Sequence, residues 1–166
     1  MRDRSPSIYR GLLFGAIAGA VASWAMNEFQ NVLSRSNCQR LQPRTSGESE
    51  DATMKAADRL AHVLHFRPLT HEEKAKAGPV MHYAFGSAMG ALYGLTNEYF
   101  PQAHAGFGTL FGTLLFAVAD ETVLPLAGFS GKPTEYSVSS HVRALASHLV
   151  YGASAEAVRA TLTHAA

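Results

Sequence analysis

Three long stretches of the chain carry no formal charge: Gly11 to Asn27 over 17 positions, Ala77 to Asn97 over 21 and Tyr99 to Ala119 over 21. Runs of this length approach the roughly 20 residues a helix needs to cross a bilayer. Together with a less apolar C-terminal stretch they predict four helical spans, at about 9–33, 78–100, 104–127 and 137–162. The fourth contains His141, Arg143, His148, Glu156 and Arg159, so it needs partners on one side instead of lipid all round. The predicted fold is all-α, an integral membrane four-helix bundle. A soluble bundle of small residues is the alternative, disfavoured because two uncharged runs of 21 residues are uncommon in soluble helices.

Between the first two spans lies a polar insert, residues 34–76, which holds 14 of the chain's 27 charged side chains. Within it, residues 52–66 place Met54, Ala57, Leu60, Ala61 and Leu64 on one side and Lys55, Asp58, Arg59 and His62 on the other, the pattern of an amphipathic helix. Such a helix lies in the membrane interface or caps the bundle. Leu69 to Glu73 reads as a helix start, with Thr70 as N-cap and Glu73 completing a capping box. Pro43 to Thr45 and Ser46 to Glu48 read as loop, and His62, His65 and His71 as surface groups. The insert is the expected docking surface for a protein partner.

This division changes the meaning of the composition. Over all 166 residues the net charge is +1 and 16% of residues are charged, with a mean hydropathy of -0.01. Those averages resemble a soluble domain, yet they mix a charged insert with apolar helices. They exclude a strongly basic nucleic-acid binder, and the single cysteine, Cys38, excludes a disulfide scaffold. Arg2, Arg4 and Arg10, the apolar Gly11 to Gly19 and the Ala20-Val21-Ala22 site also match a cleavable signal peptide. The recurrence of the same helical pattern later in the chain favours a retained span.

That recurrence is a motif. Phe14-Gly15, Gly19 and Asn27-Glu28 match Phe107-Gly108, Gly112 and Asp120-Glu121 at identical spacing; Phe85-Gly86, Gly90 and Asn97-Glu98 match with one residue fewer. Glycines four apart share one helix face and admit a close backbone, the usual basis of helix association in lipid. Gly15, Gly19, Gly86, Gly90, Gly94, Gly108 and Gly112 are therefore expected packing positions, and such seams also predict a homo-oligomer.

Helix parity brings the ends of spans one and three to the starts of two and four, on the face that carries the insert. Glu28, His82, Asp120, Glu121, His141 and Arg143 then fall within roughly 10 Å of one another along the membrane normal, at 1.5 Å rise per residue. His148 follows on the face of span four that carries His141. Ionisable groups inside a membrane are costly and normally face the bundle interior or an aqueous cavity. Three readings follow: a packing layer of ion pairs, a proton or ion pathway, and a metal site from His82, His141 and the carboxylates. The last lacks any local ligand spacing such as H-x-x-E-H, so no metal is expected. No nucleophile-base set, phosphate loop or C-x-x-C is present, so neither an enzyme nor a cofactor is expected. Ser147-His148 is not a dyad, because neighbouring helical residues diverge by about 100°.

Orientation is left open: Arg2, Arg4 and Arg10 favour a cytoplasmic N-terminus, whereas the eight basic residues of the insert with Lys132 and Arg143 favour the reverse. The strings M-N-x-F-Q (Met26 to Gln30), P-R-T (Pro43 to Thr45), D-A-T-x-K-A-A (Asp51 to Ala57) and L-T-x-E-E-K (Leu69 to Lys74) occur in that order. They are followed by A-G-P-x-x-H-Y-x-F-G (Ala77 to Gly86), G-A-L-Y-G (Gly90 to Gly94), D-E-x-x-x-P (Asp120 to Pro125) and S-H-L-V-Y-G (Ser147 to Gly152). In these the chain resembles the DUF1440 family of YagU-like bacterial inner-membrane proteins. The resemblance implies a small, multi-pass helical protein of the bacterial inner membrane, with membrane lipid as its surroundings and no established activity. It supplies no catalytic residues. Some relatives carry a double proline where this chain has Gln42-Pro43.

Overall fold

The computed structural model describes residues 6–37, 51–65 and 67–165. Among these the chain is helical throughout, with no strand. Helix α1 spans Ile8–Asn37, α2 Ala52–His65 and α3 His71–Tyr99. Helix α4, Thr109–Leu126, consists of an α-helical part (Thr109–Leu115), a π-helical part (Phe116–Val123) and a last α turn (Leu124–Leu126). Helix α5 is Val138–Ala165. The expected loops Pro43 to Thr45 and Ser46 to Glu48, the basic residues Arg2 and Arg4, and Cys38 lie outside the described residues.

Local chemistry explains where the helix ends depart from expectation. α3 begins well before the expected span because Thr70 caps it: the Glu73 amide donates to the Thr70 hydroxyl and the Thr70 amide to the Glu73 carboxylate. The helix then runs unbroken past Pro79. α4 begins later than expected, because Gly106, Phe107 and Gly108 all adopt positive φ (63°, 56° and 79°), a conformation no right-handed helix contains. Phe107-Gly108 therefore sits in a turn, whereas Phe14-Gly15 and Phe85-Gly86 lie inside helices. The three copies of the motif are not structurally equivalent.

α1 and α3 pack antiparallel on their glycines. Gly11 faces Gly94, Gly15 faces Gly90 and Gly19 faces Gly86, and a methyl group added at Gly15, Gly19, Gly90 or Gly94 would run into a carbonyl oxygen of the other helix. α4 and α5 meet in the same way, with Gly108 against Gly152 and Gly112 against the His148 carbonyl. α5 also packs on α1, joining the two pairs. The interior is correspondingly thin: Ala18, Ala22, Tyr93, Tyr151 and Ala155 are buried, with Phe111 and Leu115 packed against them.

The large apolar side chains point outwards. Leu13, Ile17 and Trp24 on α1 and Leu110, Leu114 and Val118 on α4 are exposed. Two helices, α1 over Ile8–Arg35 and α4 over Thr109–Leu126, are long and apolar enough to cross a membrane. Four spans were expected; α3 and α5 are not apolar enough by the same measure.

α2 lies against the start of α3. Ala57 is buried, the Met54 side chain fills the space beside Gly78, and Asp58 accepts from the Leu69 amide at 2.6 Å and pairs with Lys74 at 3.0 Å. Arg59 donates to the Ala127 carbonyl at 3.1 Å and stands over the Phe129 ring at 5.3 Å. The amphipathic insert helix thus caps the bundle, bridging α3 and the loop that follows α4. Leu60, Val63 and Leu64 remain exposed.

Candidate functional site

Beneath α2 the four long helices enclose a cavity of about 720 Å³. Its walls come from the end of α1 (Ser23, Met26, Asn27), the start of α3 (His82, Phe85), the end of α4 (Asp120, Glu121) and the start of α5 (His141, His148). Asp51, Ala52, Thr53 and Ala56 close it from the insert side.

The π-helical segment positions the two carboxylates. A π turn holds one more residue than an α turn, so every later side chain is rotated relative to an uninterrupted α-helix, and such segments occur frequently at functional sites. Glu121 Oε1 lies 2.7 Å from His141 Nδ1, whose other ring nitrogen, Nε2, is 3.0 Å from the Pro133 carbonyl. Asp120 Oδ2 lies 3.7 Å from His148 Nδ1, too far for a hydrogen bond, while that nitrogen donates to the Ala144 carbonyl at 3.0 Å. Side chains lean towards the N-terminus of their own helix. In the antiparallel pair α4 and α5 this draws Asp120 and His148 together.

Two polar atoms at the cavity are buried without a hydrogen-bond partner among the described residues: Ser23 Oγ and His82 Nε2. Ser23 is 1% exposed. Next to them, Tyr151 donates its hydroxyl to the Gly86 carbonyl at 2.6 Å, which fixes the deep wall where α3 meets α5.

Of the six side chains predicted to lie at one level and His148 beyond them, His82, Asp120, Glu121, His141 and His148 line this cavity. Glu28 and Arg143 do not: both are exposed and neither borders the cavity. A packing layer of ion pairs would have let Arg143 neutralise Glu28 or Asp120, and among the described residues neither pair forms. At about 100° per residue, Glu28 lies half a turn from Gly19 and Arg143 about 140° from His148, so depth brought them level while azimuth turned them outwards. The layer is two acid-imidazole pairs and a separate histidine, not a single six-membered cluster. Among the described residues no group of three or more His, Cys, Asp or Glu side chains could hold a metal ion.

The opposite end of the bundle carries charges that sequence reasoning did not join. Arg10 grips Glu98 through Nε at 2.9 Å and Nη2 at 2.6 Å, and the Ser7 amide adds a third bond at 3.1 Å. Glu156, 4% exposed, accepts from Tyr93 at 2.8 Å and from Arg159 at 2.8 and 2.7 Å. The signal was the glycine register: once Gly15 faces Gly90 and Gly11 faces Gly94, one further turn brings Ser7 opposite Glu98.

Fold and site together define a class: a small all-helical protein with two membrane-length apolar helices, tight small-residue seams and, between its helices, a largely apolar cavity that carries a few ionisable side chains. The family model described as a protein of unknown function, DUF1440, matches residues 40–157, and the chain belongs to that family. The match contains the strings from Asp51 to Gly152, while Met26 to Gln30 lies before it. No curated protein and no solved structure matches the chain.

Proposed function

We propose that the chain is a four-span, multi-pass protein of the bacterial inner membrane whose cavity handles protons or small cations through its acid-imidazole pairs. One observation carries this reading, the placement of His141. The Pro133 carbonyl only accepts hydrogen bonds, so His141 Nε2 holds a proton. The 2.7 Å contact between Nδ1 and Glu121 then needs one more proton, on the ring or on the carboxyl group. Moving that proton between them changes neither the net charge of the pair nor its contacts. Such a pair at the wall of a cavity is suited to taking up and passing on a proton.

The four-span placement is supported by the distribution of side chains. α3 turns Val80 and Leu92 outwards, while its Asn97 and the Ser147, His148 and Glu156 of α5 are buried. Several of the polar groups that lower the hydropathy of these two helices thus face inwards, although Arg143 does not. The exposed apolar surface also suits association with a second copy, and exposed Leu60, Val63 and Leu64 suit a protein partner on the insert.

A structural reading is favoured for the other end of the bundle, where Arg10-Glu98 and Glu156-Arg159 are fully paired and hydrogen-bonded. There the charges fix packing. The test separates the two ends. Full-length protein is reconstituted in liposomes that enclose a pH-sensitive dye, with the membrane potential clamped. The wild type should dissipate an imposed pH gradient faster than empty liposomes. Asp120→Asn and Glu121→Gln should each slow it towards the empty-liposome rate, and Glu28→Gln should not. Equal rates for wild type and empty liposomes, or undiminished flux in both cavity variants with helicity intact, would overturn the reading.

A further inference from the structure

We infer that the cavity binds an amphiphilic organic cation, an amine or ammonium group carried on an apolar body; this rests on the reading of the cavity as the working site. Size is the first argument. A bare ion or proton needs a few ångströms of polar path, whereas a cavity of about 720 Å³ falls in the range of sites for whole small molecules, roughly 300–1,000 Å³. Its walls include Met26, Met81, Phe85, Leu115, Val123 and Phe129, which favour a ligand with carbon to bury.

Charge is the second argument. Three carboxylates, Asp51, Asp120 and Glu121, border the cavity, and among the described residues no lysine or arginine does. Glu121 is engaged by His141. Asp120 is not comparably matched, since its nearest cationic partner is His148 Nδ1 at 3.7 Å and that nitrogen is already bonded to Ala144. An anionic ligand would meet three carboxylates and no lysine or arginine among the described residues. A cationic one meets Asp120 as counter-ion, and Tyr136 and Tyr151 are among the lining residues, rings of a kind that attract cations.

The unsatisfied groups are the third, independent argument. Burying a hydroxyl or imidazole nitrogen without a partner is costly, and Ser23 Oγ and His82 Nε2 are both so placed at this cavity. Both can accept a hydrogen bond, as the N–H groups of an amine require, once the side chains turn from their buried positions, Ser23 from against Gly86, towards the cavity. Asp120 thus supplies the charge, Ser23 and His82 the further acceptors, and the apolar walls the affinity for the body.

Isothermal titration of the full-length protein in detergent tests this with two probes of the same body and opposite charge, 4-phenylbutylammonium and 4-phenylbutyrate. The ammonium should bind saturably at one site per chain and the carboxylate should not. Asp120→Asn should weaken binding at least about tenfold, as loss of a charge-assisted bond does. Ser23→Ala, which removes a single oxygen and so spares the fold, should weaken it by roughly threefold to tenfold. Glu28→Gln should leave binding unchanged. No saturable binding of the ammonium, equal binding of the carboxylate, or wild-type affinity in a folded Ser23→Ala would overturn the inference. Proton flux without ammonium binding sinks this inference alone, whereas ammonium binding without flux sinks only the proton reading.

Discussion

Glu156 carries the clearest energetic consequence at the residue scale. It is nearly inaccessible, and its charge is tolerable only because Arg159 and Tyr93 supply three hydrogen bonds. Removing one partner of a buried ion pair leaves the other charge stranded, at a cost of about 3–5 kcal/mol, while replacing both by apolar groups is often neutral or better. Arg159→Met is therefore expected to lower thermal stability in detergent sharply, and Glu156→Met with Arg159→Met to recover most of it. A double variant less stable than the single one would contradict a packing role at this end. Outside the spans, the Glu73 carboxyl is lowered to about 2, first by its bonds from Arg67 and then by the Thr70 amide. Asp58 is lowered too, by the Leu69 amide and then by Lys74. With folded values below the unfolded ones, both groups stabilise the start of α3 fully above the ordinary carboxylate range. That contribution is lost progressively as pH falls from the ordinary carboxylate range through the folded values. An NMR titration of the Glu73 carboxyl carbon should give a midpoint near 2; an ordinary midpoint would mean that the cap does not form.

α4 is the informative case among the elements. Its α-helical start is set by the turn at Gly106 to Gly108 and its seam by Gly108 and Gly112, but the aim of Asp120 and Glu121 depends on the π segment Phe116–Val123. Deleting Ala117 should convert this stretch to plain α-helix and turn both carboxylates by about 100° away from α5. The shortened protein should remain helical by circular dichroism and lose proton flux and ammonium binding together; retention of both would show that the π turn does not place the acids. The glycine seams were legible in the sequence, because small residues four apart are a periodic signal that tertiary packing must use. The capping box at Thr70 was legible for the same reason, a fixed spacing with one local meaning. The π segment was not, since nothing in Phe116 to Val123 distinguishes an i→i+5 ladder from i→i+4. The cavity was legible in depth but not in azimuth: rise per residue brought Glu28 and Arg143 level with Asp120 and His141, and only the helix faces fixed by the seams show that they point away. The Arg10-Glu98 pairing needed the register of α1 on α3, which no single helix contains.

Across the whole molecule, the chain inverts the usual arrangement of a soluble domain. Small and polar groups are inside, at Ser23, Asn97, His148 and Glu156, and large apolar groups are outside. An interior of this kind gains little from hydrophobic burial in water, but in lipid the same arrangement would keep His148 and Glu156 away from the boundary, with Glu28 and Arg143 the exposed exceptions. The insert helix lines one side of the cavity, and the four-span reading requires a lipid-facing exterior around a water-accessible interior. Single cysteines placed in a Cys38→Ser background test that contrast directly. In reconstituted membranes, cysteines at positions 82, 120 and 148 should react with a small membrane-impermeant thiol reagent added on the insert side, and cysteines at positions 13, 17, 114 and 118 should react from neither side. Free reaction at the second set would show that the apolar exterior does not face lipid, and inert cysteines at the first set would show that the cavity does not admit water.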